Sequence, residues 1–283
     1  MMTEHLFVEV KFTHALITVL EISLLICIYT VGLYFFLNYM GDSISLQKFD
    51  LIEGGFGAII GLLLVFRTNK AYERWWEARS LWGNLVNISR NLAIKIQVHI
   101  QPTQQEAKEF ATLISNFCDA LAIHLRKSPD DIELHQYIRD KNIKHVPAYI
   151  ATKLYEKIQL KIADKQSFNS WVMDRELRDL MVVCGGCEKI KNTLLSVSYR
   201  MFVKHVMILF ILMMPLSILD NVGLYSIPIV IVTSYIILAL EAIARNLEEP
   251  FGITEDHIQL CAINSNIKLS VHEILGVQYQ NSN

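Results

Sequence analysis

Four segments of this chain are apolar over nearly enough residues to cross a lipid bilayer, which takes roughly 20 mostly apolar residues in a helix. They lie at about 15–37, 51–72, 202–220 and 224–243. The second and third have shorter apolar cores than the other two, so flanking helical turns have to complete each crossing. This pattern predicts four transmembrane helices.

The segment at about 92–198 is too polar to cross a membrane. Its apolar residues recur at helical spacing, as in residues 110–125 (FATLISNFCDALAIHL), and Pro147 is placed to open a further helix. No alternation of apolar and polar residues reaches the length of a strand. The chain is therefore predicted to be all-α, a single domain over 1–283 with a polar C-terminal segment at 246–283.

Basic residues are distributed unevenly around the four apolar segments. Nine of them lie on one predicted side: Arg67, Lys70, Arg74, Arg79, Lys189, Lys191, Arg200, Lys204 and Arg245. The loops near 41–50 and 220–223 contain Lys48 as their one basic residue. Because cytoplasmic loops are enriched in Lys and Arg, both termini and the central segment are predicted to be cytoplasmic in a multi-pass protein of the cell membrane. Glu21, inside the first segment, has no partner that the sequence identifies.

Composition agrees with a membrane protein and excludes several other classes. Of the 283 residues 52% are hydrophobic and 19% charged, whereas a soluble domain carries about 25% charged residues. The formal net charge of -2 gives no reason to expect a nucleic-acid partner. The nine histidines are scattered, without an HExxH, GxSxG or phosphate-loop pattern, so no enzyme activity or catalytic residue is predicted.

The five cysteines include one CxxC pair, Cys184 and Cys187. Zinc usually takes four ligands, and neither a second CxxC nor a pair of histidines accompanies this one. The pair is interpreted as small residues at a helix contact. No metal and no other cofactor are predicted.

The second apolar segment carries a narrow stripe of side chains. Ala58, Leu62 and Phe66 recur at every fourth position and drift by only about 40° per step around a helix. Gly57 and Gly61 lie on an adjacent face with the GxxxG spacing that permits close helix contact. A stripe of graded size beside a small-residue seam is suited to lining a pore built from copies of one helix, although any apolar helix shows such stripes.

The segment that follows, residues 66–92 (FRTNKAYERWWEARSLWGNLVNISRNL), closely resembles the hallmark sequence of bestrophin channels. Two further segments agree with that family, 184–193 (CGGCEKIKNT) and 246–252 (NLEEPFG). Order and spacing match over roughly residues 12–260. The residues that carry the resemblance are Arg67, Tyr72, Arg74, Trp75, Trp76, Trp82, Gly83, Pro250, Phe251 and Gly252.

The resemblance implies a passive ion channel, assembled as a homopentamer in the lipid bilayer around a central pathway that the second helix lines. The hydrophobic neck of the family would fall on Ala58, Leu62 and Phe66. A second, cytosolic constriction would fall on Leu180, with Leu177 as the alternative. Both leucines share a helix face with Cys184, and that face is equally suited to packing inside one subunit.

Most members of the family conduct chloride or other anions, so permeating anions are the expected partners. The alternative is a cation-selective channel of the same fold, because no basic ring accompanies the stripe and acidic Asp174, Glu176 and Asp179 lie near the predicted constriction. Arg175 and Arg178 interleave with those acids. A third hypothesis, from a different class, is a membrane-embedded helical scaffold without transport activity.

Calcium activation is not expected. Animal relatives carry a dense acidic run after the Pro-Phe-Gly turn, whereas this chain has only Glu255 and Asp256 there. Two carboxylates rarely supply the six or more oxygen ligands that calcium prefers.

Overall fold

The computed structural model describes residues 14–40, 49–126, 143–162, 168–254 and 256–278. These residues form eight α-helices and, within the described ranges, no strand, which confirms the all-α prediction. The helices are α1 (His14–Met40), α2 (Phe49–Lys95), α3 (Gln104–Arg126), α4 (Val146–Lys161), α5 (Phe168–Asn192), α6 (Val197–Val222), α7 (Ser226–Glu248) and α8 (Leu260–Ile274). A π-helical turn, Ile96–Ile100, extends α2, and a 3₁₀ turn, Gly223–Tyr225, separates α6 from α7.

The chain divides into two compact units, each made of two segments that are distant in sequence. The first unit comprises Met1–Glu73 and Leu194–Glu248, and the second comprises Arg74–Thr193 and Glu249–Asn283. Helix α2 is continuous over 47 residues and contributes to both. The second predicted span therefore does not end its helix at residue 72, since the same helix continues through the basic and aromatic residues that follow.

The first unit is built from α1, α6, α7 and the N-terminal part of α2. Helix α1 packs mainly against α7 and also contacts α6. Its core contains Ile26, Ile60, Leu64, Val203, Met207, Phe210, Ile211, Met214, Val230 and Ile237. Within α1, the hydroxyls of Ser23 and Thr30 donate to the carbonyls four residues earlier, at 2.9 and 2.8 Å, which satisfies two polar groups on an otherwise apolar helix.

Much of the apolar surface of the first unit faces outward. On α1, Leu24, Leu25 and Ile28 are 63%, 65% and 68% exposed. Among the described residues, three helical segments are long and apolar enough to cross a membrane: Ile17–Tyr39, Val197–Leu219 and Gly223–Glu248. The stretch predicted at 51–72 is not among them, and its first residues lie outside those whose side chains are described. Four spans therefore remain a prediction.

The second unit is a helical bundle with its own core. Its largest fully buried side chains are Trp82, Phe110, Phe117, Leu85, Leu92, Ile96, Ile114, Leu121, Leu154, Ile158 and Met173. Helix α3 packs against α4 and α8, and its buried residues recur at the helical period that the sequence showed. An ion pair of 2.6 Å between Asp119 and Lys268 ties α3 to α8.

Two helices of the second unit begin at well-formed caps. Before α3, the Thr103 hydroxyl accepts the Glu106 N–H at 3.4 Å, and the Glu106 carboxylate accepts the Thr103 N–H at 3.0 Å. This reciprocal arrangement satisfies two N–H groups that have no partner inside the helix. Before α4, the His145 ring accepts the Ala148 N–H at 3.1 Å, and Pro147 lies in the first turn as predicted.

The cap of α3 predicts how acid destabilises the second unit. A hydrogen bond from Lys161 and one from the Thr103 N–H lower the pKa of Glu106 from 4.5 to about 2. A group whose pKa is lowered on folding contributes stability above its unfolded pKa, and the contribution is lost as pH falls through the folded pKa. We expect the Glu106→Gln variant to melt below the wild type at neutral pH and to match it near pH 2. Thermal unfolding followed at a series of pH values measures this, and parallel pH profiles for the two proteins would contradict it.

Candidate functional site

One face of the N-terminal part of α2 packs into the first unit. Ile60, Leu64, Arg67 and Ala71 recur at steps of three and four residues and are all buried. Gly57 continues this face, and a Cβ added there would lie 3.6 Å from the ring of Phe210. The backbone of α2 therefore lies beside the Phe210 ring of α6, with room for no more than a small side chain in ordinary contact.

The opposite face of α2 carries the predicted neck residues. Ala58 is exposed in the single chain, and Leu62 and Phe66 are 57% and 56% exposed. Gly61, the second glycine of the GxxxG pair, meets open space, because a Cβ added there has no neighbour within 4 Å. The described part of the chain thus leaves an apolar, graded stripe uncovered on this helix.

Arg67 fixes α2 to α7 through buried ion pairs. Its side chain is 1% exposed, with Nη1 2.8 Å from Glu241 Oε2 and Nε 3.3 Å from Glu248 Oε1. The two carboxylates are seven residues apart on α7, which places them on one helix face. Arg200 and Arg245 approach the same carboxylates at 3.8 and 3.7 Å. A guanidinium and two carboxylates are therefore removed from solvent together.

These contacts meet the distance of an ion pair but not the alignment of a hydrogen bond at Arg67 Nε, Arg67 Nη1 or either Glu241 oxygen. The attraction is therefore chiefly Coulombic, and it is strong where water is excluded. Sequence analysis singled out Arg67 but missed Glu241 and Glu248 as its partners. Their spacing of seven residues at the end of an apolar helix was the available signal.

Removing the Arg67 side chain should show how much this ion-pair cluster contributes to the free energy of unfolding. Arg67→Ala leaves two buried carboxylates without their main counter-charge, so we expect the free energy of unfolding to fall by about 3–5 kcal/mol. Arg79→Ala is the matched control, because Arg79 lies on the same helix but is exposed. Denaturant unfolding in detergent measures both variants. Equal losses in the two variants would show that the buried cluster contributes nothing special.

The bestrophin-like segment at 66–92 continues into the second unit, where its residues make structural contacts. Arg74 donates to the carbonyl oxygens of Ile190, in the last turn of α5, and of Thr193, the residue that follows this helix. Such carbonyls have no partner within their own helix, so the arginine caps α5 from α2. Trp75 is half-buried against the core and Trp76 is 56% exposed, whereas Tyr72, which belongs to the first unit, is 51% exposed.

The Pro-Phe-Gly turn packs against the same helix. Trp82 is fully buried, with its ring centroid 6.3 Å from that of Phe251. The Pro250 carbonyl accepts the Ile258 N–H at 3.0 Å, and the nearest neighbour of a Cβ at Gly83 would be the Arg79 guanidinium at 3.5 Å. At Gly252 a Cβ would lie 2.4 Å from the His257 ring, so any larger residue at this position would have to displace that ring.

The residues predicted for the cytosolic constriction lie inside the second unit. Leu180 is 0% and Leu177 is 5% exposed, and both belong to the same core as Cys184. This burial favours the packing alternative for their shared helix face, because a side chain that lines a pore has to be accessible at the subunit surface. The outward face of α5 instead presents Arg178 and Val182, the latter 60% exposed.

The CxxC pair also serves packing. Cys184 and Cys187 are fully buried free thiols, and desolvation raises the pKa of each to about 12. A Cβ at Gly186, between them, would lie 3.0 Å from the Leu81 side chain. The interpretation as small residues at a helix contact is confirmed.

Truncation separates a pore-lining role of Leu180 from a packing role. We expect Leu180→Ala to lower the free energy of unfolding by about 2–5 kcal/mol and to leave relative ion permeability unchanged. Val182→Ala, on the outward face of the same helix, should cost less than about 0.5 kcal/mol. Denaturant unfolding and reversal potentials on the same preparations decide it. A stable Leu180→Ala variant with altered ion permeability would instead support the prediction that Leu180 lines a cytosolic constriction.

Two of the scattered histidines meet one carboxylate. Nε2 of His124 lies 2.6 Å and Nε2 of His145 2.9 Å from Oε1 of Glu188, with the two rings 4.9 Å apart. These three side chains form a group able to hold a metal ion within the described part of the chain. Sequence analysis missed this cluster, because its members lie on separate elements.

Two acidic residues noted in the sequence remain without an assigned role. Glu21 is exposed on α1 in the single chain. Glu255 lies outside the described residues, so the expectation about calcium stays a prediction.

Comparison with known proteins places these features in a family context. Residues 7–273 match the family model described as Bacterial/Fungal Bestrophin protein. The voltage-dependent anion channel-forming protein alr2987 of Nostoc is 29% identical over 231 residues, which cover 77% of this chain and 75% of the relative. The voltage-dependent anion channel-forming protein YneE of Escherichia coli K12 is 26% identical over 242 residues, covering 83% and 78%.

Solved structures share the fold. The crystal structure of a bacterial bestrophin homologue from Klebsiella pneumoniae superposes with a TM-score of 0.80 at 24% identity, covering 93% of this chain and 99% of that one. A second crystal structure, of a membrane protein, gives a TM-score of 0.80 at 22% identity and covers 93% and 99%. At these identities the likeness concerns the fold alone.

Proposed function

Since the chain belongs to the bacterial and fungal bestrophin family, we propose that it is a membrane ion channel that conducts anions, chloride among them, passively through a pore formed by several copies of the chain. Relatives that align over most of their length are named anion channel-forming proteins. The observation that carries the proposal is the uncovered apolar stripe of Ala58, Leu62 and Phe66 on α2.

An apolar stripe also suits lipid, so the pore assignment needs a reason specific to α2. Gly54, Gly55 and Gly61 lie along this helix, and a Cβ at any of them would meet no neighbour within 4 Å. Small residues of this kind favour close helix contact over lipid contact. Copies of α2 arranged around an axis would bring the stripe together as a ring that narrows from Ala58 towards Phe66. Such a ring gates by excluding water from the constriction.

The proposed assembly is a cyclic homopentamer in the cell membrane, with four spans per subunit and both termini in the cytoplasm. In that arrangement α2 completes its crossing while buried against its own copies, although its apolar part is short. Closed cyclic symmetry lets the same surface patches serve every interface.

Charges on α5 support anions rather than cations. Glu176, one of the three acids behind the cation-selective alternative, is buried and lies 2.5 Å from Lys95. Asp179 pairs with Arg178 at 3.1 Å, and Asp174 accepts the Tyr155 hydroxyl at 3.3 Å. Each of the three acids therefore has a partner, so this helix offers a permeating cation less uncompensated negative charge than the sequence order suggests.

Reversal potentials test the proposal. The purified protein is reconstituted in planar bilayers with potassium chloride at different concentrations on the two sides. The proposal predicts a reversal potential close to the chloride equilibrium potential, and replacing chloride on one side by a bulky organic anion should shift it. A reversal close to the potassium potential would support the cation-selective alternative, and no current from well-folded protein would support the scaffold.

The neck residues should control the rate of conduction. Replacing Leu62 and Phe66 together by Ala widens the apolar ring and favours its wetting, so we expect a higher conductance or open probability. The matched control is the Leu24→Ala, Ile28→Ala double variant, which truncates two exposed apolar residues at the same spacing on α1. Single-channel recording measures both. An unchanged conductance in a folded Leu62, Phe66 variant would place the pore wall elsewhere.

The oligomeric state is a separate prediction. Native mass spectrometry from mild detergent should give a dominant species with the mass of a pentamer, because α2 is expected to be stable only against its copies. A spectrum with monomers and dimers alone, from protein that conducts in bilayers, would overturn this stoichiometry.

A further inference from the structure

Three side chains from three separate elements of the second unit converge on one point. His124 lies in the last turn of α3, His145 is the N-cap residue of α4, and Glu188 lies on α5. The two imidazole Nε2 atoms and the Glu188 carboxylate oxygen all lie within 4.8 Å of one another. Each side chain is 27% to 38% exposed, so the point where they meet is reachable from solvent.

We propose that His124, His145 and Glu188 form a binding site for a divalent transition-metal ion of the zinc type. Two imidazoles and one carboxylate are a ligand set that zinc takes when its fourth position is left to water. Ligand atoms about 2.0–2.2 Å from a tetrahedral ion lie a little over 3 Å apart, so closure around the ion needs only side-chain movement. Calcium and magnesium prefer oxygen ligands, and the two imidazoles therefore select against them.

The hydrogen bonds of the cluster show what the ion would displace. Because the Ala148 N–H donates to Nδ1 of His145, the proton of the neutral ring lies on Nε2 and points to Glu188. A metal ion on Nε2 requires that proton to move to Nδ1, and the helix cap from His145 is then given up to water. Metal binding and capping of α4 are thus exclusive uses of one ring.

Because the two roles of His145 are distinct, a substitution can remove metal binding and keep the helix cap. His145→Asn removes the imidazole but keeps a side-chain oxygen, and asparagine is among the best residues at an N-cap. His124→Gln and Glu188→Gln remove the other two ligands. The controls are His99→Gln, which alters an exposed histidine elsewhere in the unit, and the double Cys184→Ser, Cys187→Ser variant, which removes the nearby thiols.

The test uses the full chain in detergent, without an oligohistidine tag, after treatment with a chelator and its removal. Zinc is titrated in competition with a chromogenic indicator, and melting temperature is recorded with and without zinc. The proposal predicts one zinc per chain and a raised melting temperature, because an ion that binds only the folded state stabilises it. It predicts a loss of affinity of at least about tenfold in each ligand variant and none in the controls.

Other outcomes overturn the proposal. Equal zinc affinity in the wild type and in His145→Asn, with both proteins folded by circular dichroism, would show that zinc binds elsewhere. Wild-type protein that binds no zinc would leave the cluster as a set of hydrogen bonds between helices. Neither readout involves ion flux, so the result is independent of whether the chain conducts.

Discussion

Arg67 carries its guanidinium into the interior of the first unit, where the side chain is 1% exposed. A buried charge without a partner costs several kcal/mol, so this fold requires carboxylates at that place. Glu241 and Glu248, two turns apart on α7, supply them at 2.8 and 3.3 Å. The pairing fixes the rotation of α2 about its own axis, because it holds the Arg67 face of the helix against α7. Leu62 lies on the opposite face of α2 and is therefore directed outward.

Residues of the bestrophin-like segment at 66–92 make contacts in both units. In the first unit Arg67 holds α7, whereas in the second Arg74 caps α5 and Trp82 packs against Phe251. These roles are architectural. The residues proposed to line the pore lie on the N-terminal side of Arg67, in a stretch that by itself resembles any apolar helix. A sequence this specific to a channel family thus mainly fixes how helices are held together.

Hydrophobic periodicity predicted the helical fold well, because every long element buries one regularly spaced face. It missed the length of α2, since the change from apolar to charged residues at Arg67 resembles the end of a span. No glycine or proline interrupts the chain between residues 67 and 82, however, so the backbone has no reason to leave the helix there. A change of side-chain chemistry is not a break in the backbone.

Site residues were predictable only where the signal is local. The spacing of Leu177, Leu180 and Cys184 identified a helix face correctly, but it carries no information on what covers that face, and the structure shows a core. Glu188 lies 64 and 43 positions from the two histidines that it contacts. Only tertiary packing joins such residues, and no pattern along one chain reports it.

The central claim is that the uncovered face of α2 lines a pathway shared by several copies of the chain. Electron cryo-microscopy of the assembled protein in lipid nanodiscs tests it most directly. The account predicts a closed ring in which Leu62 and Phe66 of every copy face a common axis, with Arg67 directed away from it into its own subunit. A density in which those two side chains contact lipid, with no continuous pathway beside α2, would contradict it.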